Sequence, residues 1–231
     1  MNASAAAVPS AVPVWHFGDP IAPLRAALER GAILAIPTES SYGLAVDPRH
    51  ERGVEAIYRL KRRAPRAALL VVACDGSALA HLGVDVASPN ARRFLALGPA
   101  PLTAVLPLER PLPASAGEAS LAVRIPADGR LRELLAAVGP LTATSANLSG
   151  EPPIVELGAL RALLAGEDAW IVDGGVLPGG APSTLIDLCG TPKILRAGAF
   201  PAAQALAWFG VSSRSAGENS APPVENISEN A

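Results

Sequence analysis

Short apolar runs recur along most of the chain, and longer amphipathic segments separate them. The runs are rich in Ala, Val, Leu and Ile and are bounded by Gly, Pro or Asp, which is typical of buried strands. They lie at residues 32–36, 68–73, 103–108, 121–125, 169–173, 184–188 and 193–196. Strands of this kind need helices to cover them, so the pattern limits the chain to folds that mix strands and helices.

The intervening segments carry the end signals of helices. The first ends on Gly31, which suits the left-handed position after a helix. The segments span 19–31, 50–63, 88–98, 128–139 and 155–166. Because strands and helices interleave without strict alternation, we expect one α/β domain (15–210) with a twisted mixed sheet flanked by helices. We expect a flexible N-terminus (1–14) and a polar, disordered tail (211–231).

The composition excludes several classes of protein. With 231 residues, of which 50% are hydrophobic, the chain can bury a sizeable core without disulfides. A net charge of −2 argues against a generally basic nucleic-acid binder. Cys74 and Cys189 lie far apart, so we expect two buried thiols in a reducing compartment. The N-terminus lacks a signal-peptide pattern and Gly or Pro interrupts each apolar stretch, so we expect a cytoplasmic protein without a membrane segment.

The chemistry is expected in polar stretches at the ends of apolar runs, because the sequence contains none of the common phosphate-loop, dinucleotide, zinc-protease or hydrolase motifs. The first stretch, PTESSYGL (37–44), follows a strand directly. It supplies hydroxyl groups from Thr38, Ser40, Ser41 and Tyr42. A solvated turn is the alternative interpretation.

A basic stretch, LKRRAPR (60–66), ends the second predicted helix. Pro65 disfavours helical geometry at the residue before it, so we expect the helix to end here. On an extended segment Lys61 and Arg63 share a face and could converge on one anion, for which the arginine fork suits a phosphate. A solvated helix end that complements the helix dipole is the alternative.

Two further stretches place polar groups in apolar surroundings. Arg124 lies inside LAVRIP, where an unpaired buried charge would be costly, so a carboxylate of the protein or of a substrate is expected to pair with it. In TSANLSG (144–150), Ser145 and Asn147 are two positions apart and point the same way on an extended backbone. Neutral groups of this kind orient a polyanion without repelling it. A polar strand end without a ligand is the alternative.

Taken in order, these stretches resemble the YrdC/Sua5 family, the threonylcarbamoyl-AMP synthases. The family pattern runs P-T-E-T-x-Y-G-L, K-x-R, P-L-T-x-V-L, V-R-x-P, T-S-A-N-x-S-G, P-S-T and R-x-G. The corresponding segments here are PTESSYGL (37–44), KRR (61–63), PLTAVL (101–106), VRIP (123–126), TSANLSG (144–150), PSTLID (182–187) and LRAG (195–198). The resemblance covers roughly residues 18–205, and its specificity comes from all the motifs occurring in order.

The resemblance implies a YrdC-like fold with a deep, positively charged groove. It implies the condensation of L-threonine, bicarbonate and ATP to L-threonylcarbamoyl-AMP and pyrophosphate. Mg²⁺ is expected to accompany ATP, with no tightly bound organic cofactor. Partner proteins would then transfer the threonylcarbamoyl group to adenosine 37 of tRNA, giving the modified nucleoside t6A.

Carried over position by position, the resemblance implies two sets of site residues. The expected ATP-binding set is Lys61, Arg63, Thr103, Ser145, Asn147 and Arg196. The expected catalytic residues within it are Lys61, Arg63, Ser145 and Asn147. The expected threonine-binding set is Thr38, Ser40, Tyr42, Arg124, Thr144 and Ser183. No metal ligand from the protein is expected, because the phosphates of ATP would hold Mg²⁺.

The sequence departs from the family pattern in three places. Ser40 stands where Thr is usual and keeps the hydroxyl, and Ala100 stands where Gly is usual before P-L-T. Ala67-Ala68-Leu69 replaces the His-Pro-Leu that commonly follows K-x-R. We therefore expect a polar wall of the threonine site to be missing, which leaves substrate selectivity open.

Two other functions remain open at this point. One is an RNA-binding module that uses the same groove, with direct tRNA contact. The other is a related enzyme that makes a carbamoyl-adenylate for a different acceptor. The chain resembles the short branch of the family, which lacks the extra C-terminal domain of the longer Sua5 branch.

Overall fold

The computed structural model describes residues 11–62, 67–148 and 150–211. In this part of the chain, strands and helices interleave as a mixed α/β fold, which confirms the predicted fold class. The strands are β1 (Val14–Trp15), β2 (Ile33–Pro37), β3 (Tyr42–Ala45), β4 (Val71–Val72), β5 (Leu102–Pro107), β6 (Ser120–Arg124), β7 (Leu141–Thr142), β8 (Thr144–Ser145), β9 (Ala169–Val172), β10 (Thr184–Asp187) and β11 (Lys193–Arg196). The helices are α1 (Ala22–Glu29), α2 (Glu51–Leu60), α3 (Gly76–His81), α4 (Pro89–Leu97), α5 (Gly129–Val138), α6 (Leu157–Leu163) and α7 (Ala202–Trp208), with a 3-10 turn at Pro113–Ser115.

The strands form two mixed sheets rather than the single sheet that we expected. The five-stranded sheet has the order β1-β9-β2-β3-β8, and the six-stranded sheet has the order β11-β10-β5-β6-β4-β7. The chain passes from one sheet to the other at Ala143, between β7 at the edge of one and β8 at the edge of the other. This crossing holds the edges of the two sheets close together, which positions the site described below.

Each strand predicted from an apolar run is present, although β4 is shorter than its run. The sequence prediction missed β1, β3, β7 and β8. These elements are only two to four residues long, and β3 and β8 contain Gly, Ser or Thr. Pairing with distant strands, not local propensity, holds such short elements, so a local pattern does not reveal them. The helices α3 and α7 were also missed.

The second predicted helix ends earlier than its sequence suggested. Its N-terminus is capped by His50, whose Nδ1 accepts a hydrogen bond from Gly53 N at 3.1 Å. The helix ends at Leu60, and Arg62 has a left-handed backbone with φ 50°. The left-handed residue, rather than Pro65, therefore ends the helix, and Lys61 becomes its last capping position.

Both faces of the five-stranded sheet are buried, which explains the continuous apolar run of β2. Leu34 and Ile36 pack in a cluster with α1 and α5, whereas Ile33 and Ala35 face a larger cluster on the other side. Burying a side chain such as Leu34 completely contributes about 1.5–3 kcal/mol relative to leaving it in water. The core is built mainly of Ala, Val, Leu and Ile, as the scarcity of aromatic residues requires.

The prediction of two buried thiols is wrong. Both cysteines are free, but Cys74 is half-buried and Cys189 is exposed. Cys189 lies just after β10 in a turn in which its own N–H donates to Asp187 Oδ1 at 2.9 Å.

In the described ranges, no helix is long and apolar enough to cross a membrane. The predicted flexible N-terminus and disordered tail fall mostly on residues outside those ranges.

Candidate active site

A cavity of about 390 Å³ lies between the two sheets. The inner face of the six-stranded sheet forms one side, and the turn between β2 and β3 forms the other. Its volume falls within the range of roughly 300–1,000 Å³ found for small-molecule sites. The residues predicted for the site that line it are Thr38, Ser40, Tyr42, Thr103, Arg124, Thr144, Ser145, Ser183 and Arg196.

The six-stranded sheet aligns the two cavity arginines in one row. Arg196 is opposite Leu185, and Leu185 is opposite Thr103. Because Ala104 pairs with Val123 in an antiparallel ladder, Thr103 lies opposite Arg124 in the same row. The two arginines are therefore three strand spacings apart, about 14–15 Å between their backbones. Such a floor can bind two anionic groups of an extended substrate at once.

Two predicted residues from different ligand sets contact each other on this floor. Thr103 Oγ1 lies 2.7 Å from Ser183 Oγ, and both side chains are buried. Arg196 Nη2 donates to the carbonyl oxygen of Ser183 at 2.9 Å. Gly198 lets the chain after β11 approach this point, because any Cβ there would collide with Pro182 and Ser183. The hydrogen bonds fix one end of the cavity.

Lys61 joins the predicted Ser145–Asn147 pair. Its Nζ donates to the carbonyl oxygens of Ser145 (2.6 Å) and Asn147 (2.8 Å) and to Asn147 Oδ1 (2.9 Å). Ser145 Oγ in turn donates to Asn147 Oδ1 at 2.7 Å, so the two side chains meet as their spacing suggested. Lys61 is only 4% exposed. Lys61 and Asn147 do not line the cavity themselves and contact its wall through Ser145.

The predicted partner of Lys61 lies outside the described residues. Arg63 falls in the undescribed range 63–66, so its convergence with Lys61 on one anion stays a prediction. The described neighbour, Arg62, is exposed.

Arg124 is paired inside the cavity. Its Nη2 lies 2.7 Å from Glu39 Oε1, and its Nε donates to the carbonyl oxygen of Ala100 at 3.4 Å. Burial lowers the pKa of the guanidinium from its ordinary value, and the charge and hydrogen bond of Glu39 oppose that change. Of the two partners that the sequence left open for Arg124, the structure contains the protein carboxylate, which is Glu39. Sequence reasoning gave Glu39 no role, although its motif contains the residue.

Two predicted threonine-binding hydroxyls make hydrogen bonds within the protein. Thr38 Oγ1 donates to Ser41 O at 2.6 Å and so closes the turn between β2 and β3. Tyr42 Oη donates to Gly175 O at 2.7 Å and accepts from Gly174 N at 3.0 Å. A direct role of these hydroxyls in binding threonine stays a prediction. In the described structure they shape the wall of the cavity.

The departures from the family pattern lie close to the site. Ala68 lines the cavity together with Leu70, so this part of its wall is apolar. The carbonyl of Ala67 accepts a hydrogen bond from Tyr58 Oη at 2.9 Å.

Within residues 11–62, 67–148 and 150–211, no group of three or more His, Cys, Asp or Glu side chains could hold a metal ion.

Comparison with known proteins places this site in context. Residues 26–198 match the model of the Sua5/YciO/YrdC family, which carries the description "Telomere recombination". Threonylcarbamoyl-AMP synthase from Chromohalobacter salexigens is 38% identical over 173 residues, covering 74% of this chain and 93% of the relative.

Solved structures with known names share the fold of this chain. The structure of P. abyssi Sua5 complexed with L-threonine has a TM-score of 0.74 at 29% identity, covering 86% of this chain and 61% of that one. E. coli YciO shares the fold, with a TM-score of 0.71 at 23% identity, and is covered over 100% of its length. The chain belongs to the Sua5/YciO/YrdC family.

Proposed function

We propose that the chain is an L-threonylcarbamoyl-AMP synthase that condenses L-threonine, bicarbonate and ATP. The observation that carries the proposal is the cavity between the sheets, with Arg124 and Arg196 in one row and Ser145 held by Lys61 at its wall. The relatives that share the family carry that activity in their names. The product would supply the threonylcarbamoyl group for t6A at adenosine 37 of tRNA, through separate transferase proteins.

The reaction comprises two bond-forming steps. The threonine ammonium and bicarbonate give the N-carboxylate (carbamate), releasing one water and one proton. A carbamate oxygen then attacks the α-phosphorus of ATP, and the bond to the bridging oxygen breaks as pyrophosphate leaves. Such a displacement depends on alignment and charge neutralisation more than on an acid–base pair.

The two ends of the cavity suit the two substrates. Arg124 would hold the threonine carboxylate, with Ser40 and Thr144 beside it. Ser183 would contact the threonine from the boundary with the ATP side, because its hydroxyl lies 2.7 Å from Thr103 Oγ1. Arg196 and Thr103 would face ATP, where a guanidinium fork suits phosphate oxygens. With their backbones about 14–15 Å apart, the two arginines would bind a carboxylate and a polyphosphate at separate points of the floor.

Lys61, Arg63, Ser145 and Asn147 would act at the α-phosphate. Ser145 and Asn147 are neutral, so they can orient reacting oxygens without repelling them. Lys61 supplies the nearby positive charge behind Ser145. In the proposal, Mg²⁺ enters with ATP on its phosphate oxygens and no organic cofactor takes part.

Pyrophosphate release tests the proposal. Purified protein is incubated with ATP and Mg²⁺, with L-threonine and bicarbonate added separately and together. We expect release only when both are present, and threonylcarbamoyl-AMP in the mixture by mass spectrometry. Release with bicarbonate but independent of threonine would instead favour a carbamoyl-adenylate enzyme with another acceptor. No release, together with tight binding of tRNA, would favour the RNA-binding module.

A further inference from the structure

Glu39 and Arg124, two of the described residues that line the cavity, form an ion pair with each other. Glu39 belongs to the turn between β2 and β3 of the five-stranded sheet, and Arg124 ends β6 of the six-stranded sheet. Their side chains meet at 2.7 Å, and both residues line the cavity. The ion pair therefore joins the two sheets inside the cavity.

The two oxygens of Glu39 are used unequally. Oε1 accepts from Arg124 and also from the backbone N–H of Ala127 at 2.7 Å. Oε2 is buried and has no hydrogen-bond partner among the residues that the structure describes. An unsatisfied buried carboxylate oxygen is unfavourable, and the terminal torsion of a glutamate turns at small cost. Glu39 can therefore accept one more hydrogen-bond donor.

A free amino acid carries a carboxylate and an ammonium group, which can replace Glu39 and Arg124 as each other's partners. Its carboxylate fits the Arg124 guanidinium, and its ammonium fits the Glu39 carboxylate. Inserting it replaces one largely buried ion pair by two and leaves the net charge of the site unchanged. A ligand with a carboxylate alone would take Arg124 and leave the half-buried Glu39 carboxylate without a cation, which is unfavourable.

We propose that Glu39 and Arg124 together bind the zwitterionic form of an α-amino acid, with Arg124 holding the carboxylate and Glu39 holding the ammonium. This inference rests on the proposed function and extends it. The amino acid enters with a free ammonium group, so its nitrogen is carboxylated inside the cavity after binding. Glu39 is then a positioning and selectivity residue at the start of the reaction.

Isothermal titration calorimetry with two ligands tests this inference. One is L-threonine, and the other is 2,3-dihydroxybutanoate of the same configuration, in which a hydroxyl replaces the ammonium. The proteins are the unmodified chain, Glu39→Gln and the matched control Glu133→Gln, whose side chain is exposed on α5. We expect the unmodified chain and the control to prefer L-threonine by at least about tenfold, or about 1.4 kcal/mol.

In Glu39→Gln we expect the affinity for L-threonine to fall until the two ligands bind alike. An unchanged preference, tighter binding of L-threonine, or equal loss of both ligands would each overturn the inference, since Glu39 would then serve only as the counterion of Arg124. The absence of any preference in the unmodified chain would overturn it as well. If Glu39→Gln does not fold, Glu39→Asp keeps the charge and must keep the preference.

The pyrophosphate assay separates this inference from the proposed function. Release that needs threonine and bicarbonate, with an unchanged ligand preference in Glu39→Gln, would leave the function standing and remove the role of Glu39. If the preference for the ammonium ligand depends on Glu39 but no pyrophosphate is released, the role of Glu39 stands and the proposed function is removed.

Discussion

The Nζ of Lys61 lies 2.9 Å from Asn147 Oδ1, although 86 positions separate the two residues along the chain. The same ammonium group donates to the backbone carbonyls of Ser145 and Asn147. Its charge therefore has two tasks, which are to hold the segment after β8 in shape and to supply positive potential beside Ser145. Two measurements on one variant, stability and ATP affinity, can separate the two tasks.

Replacing Lys61 with methionine keeps the length of the side chain and removes its donors. We expect the free energy of unfolding to fall by about 1.5–3 kcal/mol, the range for hydrogen bonds to charged groups. Urea denaturation measures the change. The control is Arg62→Met, because Arg62 is the exposed neighbour, and its effect should stay within about 0.5 kcal/mol. Equal effects of the two variants would mean that Lys61 does not support the 145–147 segment.

The same Lys61 variant should also bind ATP more weakly. Losing a charge-assisted interaction with a phosphate costs about 1–3 kcal/mol, and we expect a loss of the same size for Lys61→Ala and for Arg63→Ala. Equilibrium binding of ATP to folded protein measures this separately from stability. Native affinity in the Lys61 variant would mean that Lys61 only supports the 145–147 segment. Native affinity in the Arg63 variant would remove Arg63 from the ATP-binding set.

Asn147→Ala should slow catalysis more than it weakens ATP binding. Asn147 Oδ1 accepts a hydrogen bond from the hydroxyl of Ser145. Removing the Asn147 side chain therefore leaves that hydroxyl free to adopt another orientation. We expect kcat to fall by about tenfold or more, in line with the loss of an orienting group. Steady-state kinetics and ATP titration together measure the two effects. Asn90→Ala is the control, because its side chain bonds to Leu188 and Gly190 outside the cavity.

Part of this arrangement could be predicted from local sequence. The pair Ser145 and Asn147 could be expected to meet because two-residue spacing on an extended chain places side chains together. The need of Arg124 for a carboxylate followed from its apolar neighbours in the strand. Both conclusions depend on a few adjacent residues and on the cost of burying charge.

The remaining features depend on contacts between distant segments. The chain passes from one sheet to the other at Ala143, whose N–H donates to Leu70 O at 2.8 Å. No local sequence pattern predicts a crossing at that residue. The choice of Glu39 as the partner of Arg124 depends on how the sheets face each other. The use of the Tyr42 hydroxyl by Gly174 and Gly175 likewise requires packing across more than 130 positions, because the two hydrogen bonds span 132 and 133 residues.

Tyr42→Phe tests whether that hydroxyl supports the fold. The variant leaves Gly174 N–H and Gly175 C=O without their partner, so we expect the free energy of unfolding to fall by about 1–3 kcal/mol. Urea denaturation near neutral pH measures the loss. An unchanged stability would mean that water or another group replaces the hydroxyl, and would return Tyr42 to the candidates for direct contact with threonine.

The stability of the unmodified chain should also respond to alkaline pH through Tyr42. Burial is the main cause that raises the pKa of its phenol above the ordinary value of 10.0. The unfolded chain then releases this proton first, so the contribution of Tyr42 is complete below pH 10 and is lost as the pH rises through the folded-state pKa. The difference in unfolding free energy between the unmodified chain and Tyr42→Phe should therefore shrink above pH 10. A constant difference across that range would contradict the raised pKa.

Thr103 and Ser183 should be energetically coupled. Their hydroxyls lie 2.7 Å apart in a buried position, so Thr103→Val or Ser183→Ala alone leaves one hydroxyl without its partner. We expect each change to cost about 1–3 kcal/mol in unfolding free energy, and the double variant to cost less than their sum by about 0.5–3 kcal/mol. Urea denaturation of the four proteins gives the coupling. As a control, the cycle is repeated with Thr142→Val in place of Thr103→Val. Thr142 lies in β7, an edge strand of the same sheet away from β10, and its hydroxyl forms hydrogen bonds with Val46 N and Leu44 O.

The same cycle, repeated with saturating L-threonine, separates a binding role from a structural one. If the Ser183 hydroxyl turns towards the bound amino acid, its hydrogen bond to Thr103 weakens and the measured coupling should fall. The coupling of the control pair, Thr142 with Ser183, should stay near zero with or without the ligand. If threonine binds and the Thr103–Ser183 coupling does not change, the hydrogen bond only joins β5 to the start of β10. The prediction that Ser183 binds threonine would then be wrong.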